Sequence, residues 1–224
     1  MSRTFTVIDA EQRSQEWVAA RLGRLTGSRA SDMLATIKSG APSTSRQNLL
    51  MQLVLERLTG RSQERAFTSQ AMEDGTEREP DALLWYEAVT GQLVERTGFL
   101  SHTSLMAGTS LDGHLGDFEV IVEAKSPLPA THWEYLKSGV VPIKYQRQCL
   151  HGLWLTGAKR CDWLSFHPDF PENLRAKFVE IHRDEQAVAE YDKQVLAFLA
   201  EVDRELGAVR TMADLRGTLA AVVA

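Results

Sequence analysis

Two short segments hold the residues best suited to chemistry: Ser110-Leu-Asp112-Gly113, and Asp117-Phe-Glu-Val-Ile-Val-Glu123-Ala-Lys125. Read as a strand, the second alternates its side chains between two faces. Asp117, Glu119, Ile121, Glu123 and Lys125 share one face. Phe118, Val120, Val122 and Ala124 share the other, which is wholly apolar and belongs against a core. Glu123 and Lys125 then sit side by side at the strand's end. The short turn His114-Leu-Gly116 can bring Asp112, at the end of the preceding strand, back beside Glu123. Two hard carboxylates next to an ammonium suit Mg²⁺, which takes oxygen ligands and keeps several waters. Such an ion polarises a phosphoryl oxygen and acidifies a bound water, and a second ion stabilises the leaving oxygen. Lys125 would orient or deprotonate the attacking water, or steady the charge developing on the phosphorane. The same pattern also describes an exposed strand face crossed by salt bridges. Spacing alone does not separate the two.

The elements that must hold these residues are legible in outline. Trp17, Val18, Arg21 and Leu22 predict a short helix, and the turn Thr26-Gly27-Ser28 leads into another through Leu34. Leu49, Leu50, Leu53, Val54 and Leu58 recur at helical spacing, with Thr59-Gly60 as the stop. Residues 61–75 are polar and read as a loop; Thr76 opens a helix with Pro80 in its first turn, and Gly91 ends it. Residues 92–100, 104–111 and 117–125 read as a meander of three strands. A helix from Ile143 to Leu155 follows, then strands near Asp162–His167 and Lys177–His182. A last helix aligns Val188, Tyr191, Val195, Phe198, Val202 and Leu206 on one stripe. Helices around a central mixed sheet predict one α/β (α+β) domain over residues 1–224, with a C-terminal helical segment from about residue 184.

Composition narrows the function classes. Apolar residues make up 43% of the 224-residue chain, enough for a sizeable core. There is neither a membrane-spanning run nor a signal-peptide core, and Cys149 and Cys161 read as free buried thiols, so a cytoplasmic protein is expected. The net charge of −5 argues against gripping nucleic acid by bulk electrostatics. Residues 1–50, however, carry seven Lys/Arg against four Asp/Glu, with Arg13, Arg21, Arg24 and Arg29 as candidates for a local patch, although charge alone favours a solvated helix face. The histidines show no metal-ligand spacing; His114 alone lies in the turn beside the candidate site.

Four blocks resemble, in order, a known family. They are Arg21-Leu-Gly23 with Leu25-Thr-Gly-Ser28-Arg-Ala-Ser31; Gly75-Thr-Glu-Arg-Glu79-Pro-Asp-Ala82 through Tyr86 and Thr90-Gly91; Thr109-Ser-Leu-Asp112-Gly113 with Glu123-Ala-Lys125-Ser-Pro127; and Tyr145-Gln-Arg-Gln148 with Trp154-Leu-Thr-Gly157. Together they span roughly residues 15–165 and resemble the viral recombinase exonucleases of the phage lambda (YqaJ) type. That family belongs to the PD-(D/E)XK nucleases, on the restriction-endonuclease-like fold.

The resemblance implies specific roles. Asp112, Glu123 and the main-chain carbonyl of Ala124 would be metal ligands for Mg²⁺ or Mn²⁺, with two ions per site. Lys125 would be the catalytic lysine, Glu79 the supporting glutamate and Gln148 the active-site glutamine. Arg21 and Ser28 would hold a DNA 5′-phosphate, and Met72 would be an apolar wedge between the strands. Each has a plainer reading: Thr76-x-x-Glu79 is also a capping box, Gln148 an exposed helix residue, Arg21 a surface arginine and Met72 a core filler. The implied activity is 5′→3′ degradation of one strand of linear duplex DNA, leaving 3′ single-stranded tails for recombination in a bacterial host. A homotrimeric ring and a single-strand annealing protein are the implied partners. A restriction-like or junction-cutting endonuclease would share the same centre, and a non-catalytic recombination adaptor would share the fold.

Overall fold

The long C-terminal helix shows how the apolar pattern becomes packing. Val188, Tyr191, Val195, Phe198, Val202 and Leu206 are all buried, as the periodicity predicts. Their stripe joins a core that includes Leu49, Leu50, Leu53 and Val54 of an N-terminal helix. Ion pairs Arg46–Glu201 and Arg57–Asp203, each at 2.7 Å, tie the two helices together at the margin.

The computed structural model describes residues 3–63, 75 and 77–223, with side chains through Asp214. Met72 and Thr76 lie outside the described residues. The order is β1 (Phe5–Ile8), α1 (Gln15–Arg21), β2 (Leu25–Thr26), a 3₁₀ turn, α2 (Ala30–Met33), α3 (Thr44–Thr59), α4 (Glu79–Thr90), β3 (Phe99–His102), β4 (Ala107–Ser110), β5 (Gly113–Leu115) and β6 (Val120–Lys125). Then come α5 (Pro129–Ser138), α6 (Ile143–Thr156), β7 (Arg160–Phe166), β8 (Ala176–His182) and α7 (Glu185–Val223). No helix among the described residues is long and apolar enough to cross a membrane.

The expected three-strand meander is divided between two mixed sheets. One has the order β1-β3-β4-β2 and the other β5-β6-β7-β8. Strands β3 and β4 pair in the first sheet, and the chain crosses to the second through Leu111-Asp112. Of residues 92–98 only Glu95 makes a bridge, to His114. Strand β6 starts at Val120, because Phe118 adopts a left-handed conformation (φ 60°) and closes a turn. Strand β1 and helix α5 were not expected. In β1 only Phe5 is buried, so it has no strong alternation to detect.

Strand β6 is inside the second sheet, antiparallel to β5 and parallel to β7. The parallel step requires a crossover, which α5 and α6 supply. Both faces of β6 are covered. Val122 and Ala124 pack with Ala82, Leu83 and Tyr86 of α4. Ile121 packs with Cys149 and Leu153 of α6. An added Cβ on Gly152 would lie 2.6 Å from Ile121 Cδ1, so glycine is what lets α6 approach this strand.

Buried polar groups join the layers. His151 lies with Nε2 3.0 Å from the Gly108 carbonyl and Nδ1 2.8 Å from Tyr191 Oη; burial lowers its pKa to about 4 and keeps it neutral. Tyr86 Oη donates to Asp162 Oδ2 at 2.5 Å, and Arg160 Nε lies 2.9 Å from Asp162 Oδ1. The Asp162 side chain has no exposure. Cys149 and Cys161 are free and buried, as read from the sequence. Removing the phenol in Tyr86→Phe takes one donor from a buried carboxylate, which costs about 1–3 kcal/mol. Urea unfolding of Tyr86→Phe should show that loss with an unchanged m-value; a difference within error of zero would mean Arg160 alone satisfies Asp162.

Candidate active site

Backbone pairing and strand alternation together assemble the centre. Asp112 follows β4, and its Oδ2 accepts a 2.8 Å hydrogen bond from the Ala124 amide on β6. This bond pins the Asp112 carboxylate between the flanking residues Glu123 and Lys125. Those two lie on one face of β6, two residues apart. Lys125 Nζ contacts Glu123 Oε1 and lies 3.5 Å from Asp112 Oδ2. From α6, Gln148 Nε2 donates to Glu123 Oε1 at 2.5 Å. The exposed-face reading of this strand does not hold: Glu123 is only 4% exposed.

Burial and like charge set the electrostatics. Desolvation first, and the Asp112 charge second, push the Glu123 carboxyl up to about 8, against the opposing pull of Lys125. The same two causes raise Glu79 to about 7, opposed by Arg96, Lys125 and Arg13. Desolvation alone would lower Lys125, but Asp112 and Glu123 outweigh it and hold the ammonium protonated above its ordinary range. Glu79 is the first residue of α4, with Arg78 at the N-cap, and its Oε1 lies 3.8 Å from Arg96.

The donor set fits a hard divalent cation. Two carboxylates share a poorly solvated site with a single ammonium. Among the described residues no three His, Cys, Asp or Glu side chains converge as a metal-holding group. An ion held by Asp112 and Glu123 would complete its shell with water and main-chain oxygen, which suits Mg²⁺.

Two clefts open onto this centre. One, of about 400 Å³, is lined by Ser28, Glu79, Ala124, Lys125, Tyr145 and Gln148 among others. The second, of about 440 Å³, includes Glu79, Arg96 and Asp112. The structure thus brings together Asp112, Glu123, Lys125, Glu79, Gln148, Ala124 and Ser28.

Arg21 is placed differently. It ends α1 with its guanidinium 4.1 Å from the Trp17 ring, and it lines a separate small pocket with Arg24, Thr26 and Arg29. Two contacts link that pocket to the centre: Trp17 Nε1 donates to Ser110 Oγ at 2.8 Å, and Thr26 Oγ1 lies 3.3 Å from Ser28 Oγ. His114 is turned to other work. Its Nδ1 lies 3.0 Å from the Gly116 carbonyl and its ring stacks on Phe118.

The sequence reading gives Ser110, Trp17, Tyr145 and Arg96 no role of their own at the site. Trp17 stands four residues before Arg21 and Tyr145 three before Gln148, a helical spacing that signals a shared face. Arg96 had no such signal.

Comparison with known proteins identifies the family and the fold. The YqaJ-like viral recombinase domain matches residues 16–159. The chain is 35% identical to an alkaline exonuclease (LHK-Exo) from Laribacter hongkongensis, with TM-score 0.81, covering 90% of this chain and 98% of that one. The same exonuclease in complex with dAMP gives 35% identity, TM-score 0.82, and coverage of 90% and 100%. A phage related exonuclease from Haemophilus somnus 129PT, at 14% identity and TM-score 0.66, covers 83% of this chain and 96% of that one and shares the fold. None of the curated proteins matches. The architecture is the restriction-endonuclease-like α/β fold, and the chain belongs to the YqaJ-like viral recombinase domain family.

Proposed function

We propose that this chain, a DNA nuclease, is a Mg²⁺-dependent 5′→3′ exonuclease that degrades one strand of linear duplex DNA and leaves 3′ single-stranded tails for recombination. The observation that carries the reading is the convergence of Asp112, Glu123, Lys125 and Gln148 at the mouth of open clefts. Asp112, Glu123 and the Ala124 carbonyl would hold one or two Mg²⁺ or Mn²⁺ ions. Bound there, the metal supplies an acidified water and polarises the scissile phosphoryl group. The chain's own residues do the rest. Gln148 fixes the Glu123 carboxylate, and the Lys125 ammonium faces the charge that develops on the phosphoryl oxygens. Glu79 accepts a proton or hydrogen bond from the attacking water.

Arg21 and Ser28 hold the 5′-phosphate. A guanidinium fork distinguishes a terminal phosphate, with its extra charge, from an internal diester. Stacking on Trp17 holds that fork in place. The net charge of −5 favours retention of DNA by topology over retention by phosphate contacts. A homotrimeric ring provides this, working with a single-strand annealing protein in the cytoplasm of a bacterial host. Met72, outside the described residues, remains the proposed strand-separating wedge.

End-labelled linear and covalently closed circular duplexes, incubated with Mg²⁺ or EDTA, test the reading. Cleavage should need Mg²⁺ and a free end, and Asp112→Ala, Glu123→Ala or Lys125→Ala should each lower the single-turnover rate about 10²-fold or more. Digestion of circles would identify an endonuclease instead. Wild type should prefer 5′-phosphorylated over 5′-hydroxyl ends, and Arg21→Ala should remove about 10–100-fold of rate on the former. Lysine should restore only part. Full preference retained in Arg21→Ala would place the phosphate site elsewhere.

Stability should depend on pH in a defined direction. In EDTA, folded Glu79 and Glu123 keep protons to about 7 and about 8, against ordinary values of 4.5. The folded state binds more protons at these two groups in that interval, so their contribution to stability is full below about 4.5 and is lost as pH rises toward 8. Tm should fall across this window, and Glu123→Gln should flatten the fall; an equal fall in that variant would assign it to other groups.

A further inference from the structure

One arginine borders both clefts at the reacting centre. Arg13 lines the cleft of about 400 Å³ with Lys125 and Gln148, and also the cleft of about 440 Å³ with Asp112 and Arg96. Glu79 is the other residue common to both. The positive charge of Arg13 reaches Glu79, where it opposes the upward push of burial. The two clefts are therefore halves of one trough across the centre, with Arg13 and Glu79 at the divide.

The backbone at Arg13 is unusual for its residue type. Its φ is +73°, in the left-handed region that favours glycine. The conformation is imposed from both sides: the Ser14 amide donates to the Glu11 carbonyl at 3.0 Å, and the Ser14 hydroxyl caps α1 by accepting from Trp17 N at 3.1 Å. Non-glycine residues in this region are costly and concentrate at functional sites. A glycine would meet the backbone requirement at less cost.

Charge suggests what the side chain does. Among the described residues, the lining of the second cleft includes the acids Asp9, Glu11, Glu79 and Asp112 and the cations Arg13 and Arg96. On the other side, Lys125 and Lys144 face the substrate path. A strand laid across both clefts passes the carboxylates Asp9, Glu11 and Asp112, where Arg13 and Arg96 are, among the described residues, the guanidiniums that could meet a phosphate.

We infer that Arg13 is a substrate-binding residue, held by its left-handed backbone at the junction of the two clefts to contact a phosphate of the strand being cut, with Arg96 beside it. The inference rests on the nuclease reading above. It gives α1 a guanidinium at each end, Arg13 before its cap and Arg21 at its close.

Single-turnover cleavage of a 5′-phosphorylated linear duplex, at varied enzyme and NaCl concentrations, tests it with wild type, Arg13→Gly and Arg13→Lys. Glycine accepts the left-handed backbone at position 13, so Arg13→Gly should stay folded, which its melting curve checks. Half-saturation should nevertheless weaken about tenfold, and the slope of log affinity against log salt should become shallower by about 0.9, the effect of one lost phosphate contact. Arg13→Lys should keep the slope and regain part of the affinity. Unchanged half-saturation and slope in Arg13→Gly would overturn the inference and leave Arg13 as a simple partner of Glu79. Failure of wild type itself to cut the linear duplex would instead overturn the nuclease reading on which the inference rests.

Discussion

Two carboxylates that would repel each other are held at one point by the backbone of β6. The Ala124 amide donates to Asp112 while the residues on either side of Ala124 carry Glu123 and Lys125. A buried carboxylate is costly unless it is paired and hydrogen-bonded. Here the compensation comes from one ammonium, one amide N–H and one glutamine amide. It is incomplete, as the raised pKa of Glu123 shows. The remaining excess of negative charge makes the site suited to a divalent cation. Removing one partner of such a buried pair costs about 3–5 kcal/mol, so the centre demands a rigid support.

That support is the burial of β6 on both faces. Helix α4 covers Val122 and Ala124 and delivers Glu79 from its first turn. Helix α6 covers Ile121 and delivers Gln148, and its approach depends on the missing side chain of Gly152. The same helices that bury the strand thus carry residues that line the centre beside it. The neutral His151, bridging the Gly108 carbonyl and Tyr191, locks α6 to β4 and α7. The hydroxyl at Ser110 on β4 is in turn engaged by Trp17, and the Arg21 guanidinium rests on that ring. Core packing and site geometry are continuous here.

Much of this was open to reading in the sequence. Strong apolar periodicity marked α3, α6 and α7, because a helix that buries one stripe must repeat it every three or four residues. Gly60 and Gly91 marked two helix ends through their left-handed caps. The two-residue spacing of Glu123 and Lys125 placed them on one face whatever the fold, since strand alternation is local. Ordered blocks carried the family and, with it, Glu79 and Gln148.

Other features depend on contacts between distant segments, and no local pattern encodes them. The sequence alone could not say that the face bearing Glu123 is buried rather than wet, because that depends on where α6 docks. Nor could it divide the strands of residues 92–125 between two sheets, since pairing joins β4 to β2 and β6 to β7 across long stretches of chain. Arg96 carries no periodic signal and reaches Glu79 only through the return of the chain after α4. The placement of Arg21 and Ser28 on different pockets is likewise a tertiary result: Arg21 closes α1 against Trp17, while Ser28 lies in the 3₁₀ turn that follows β2. Residue types and short spacings determined which chemistry was available to this chain. Long-range packing decided which of those groups meet, how dry their surroundings are, and therefore how their charges are set.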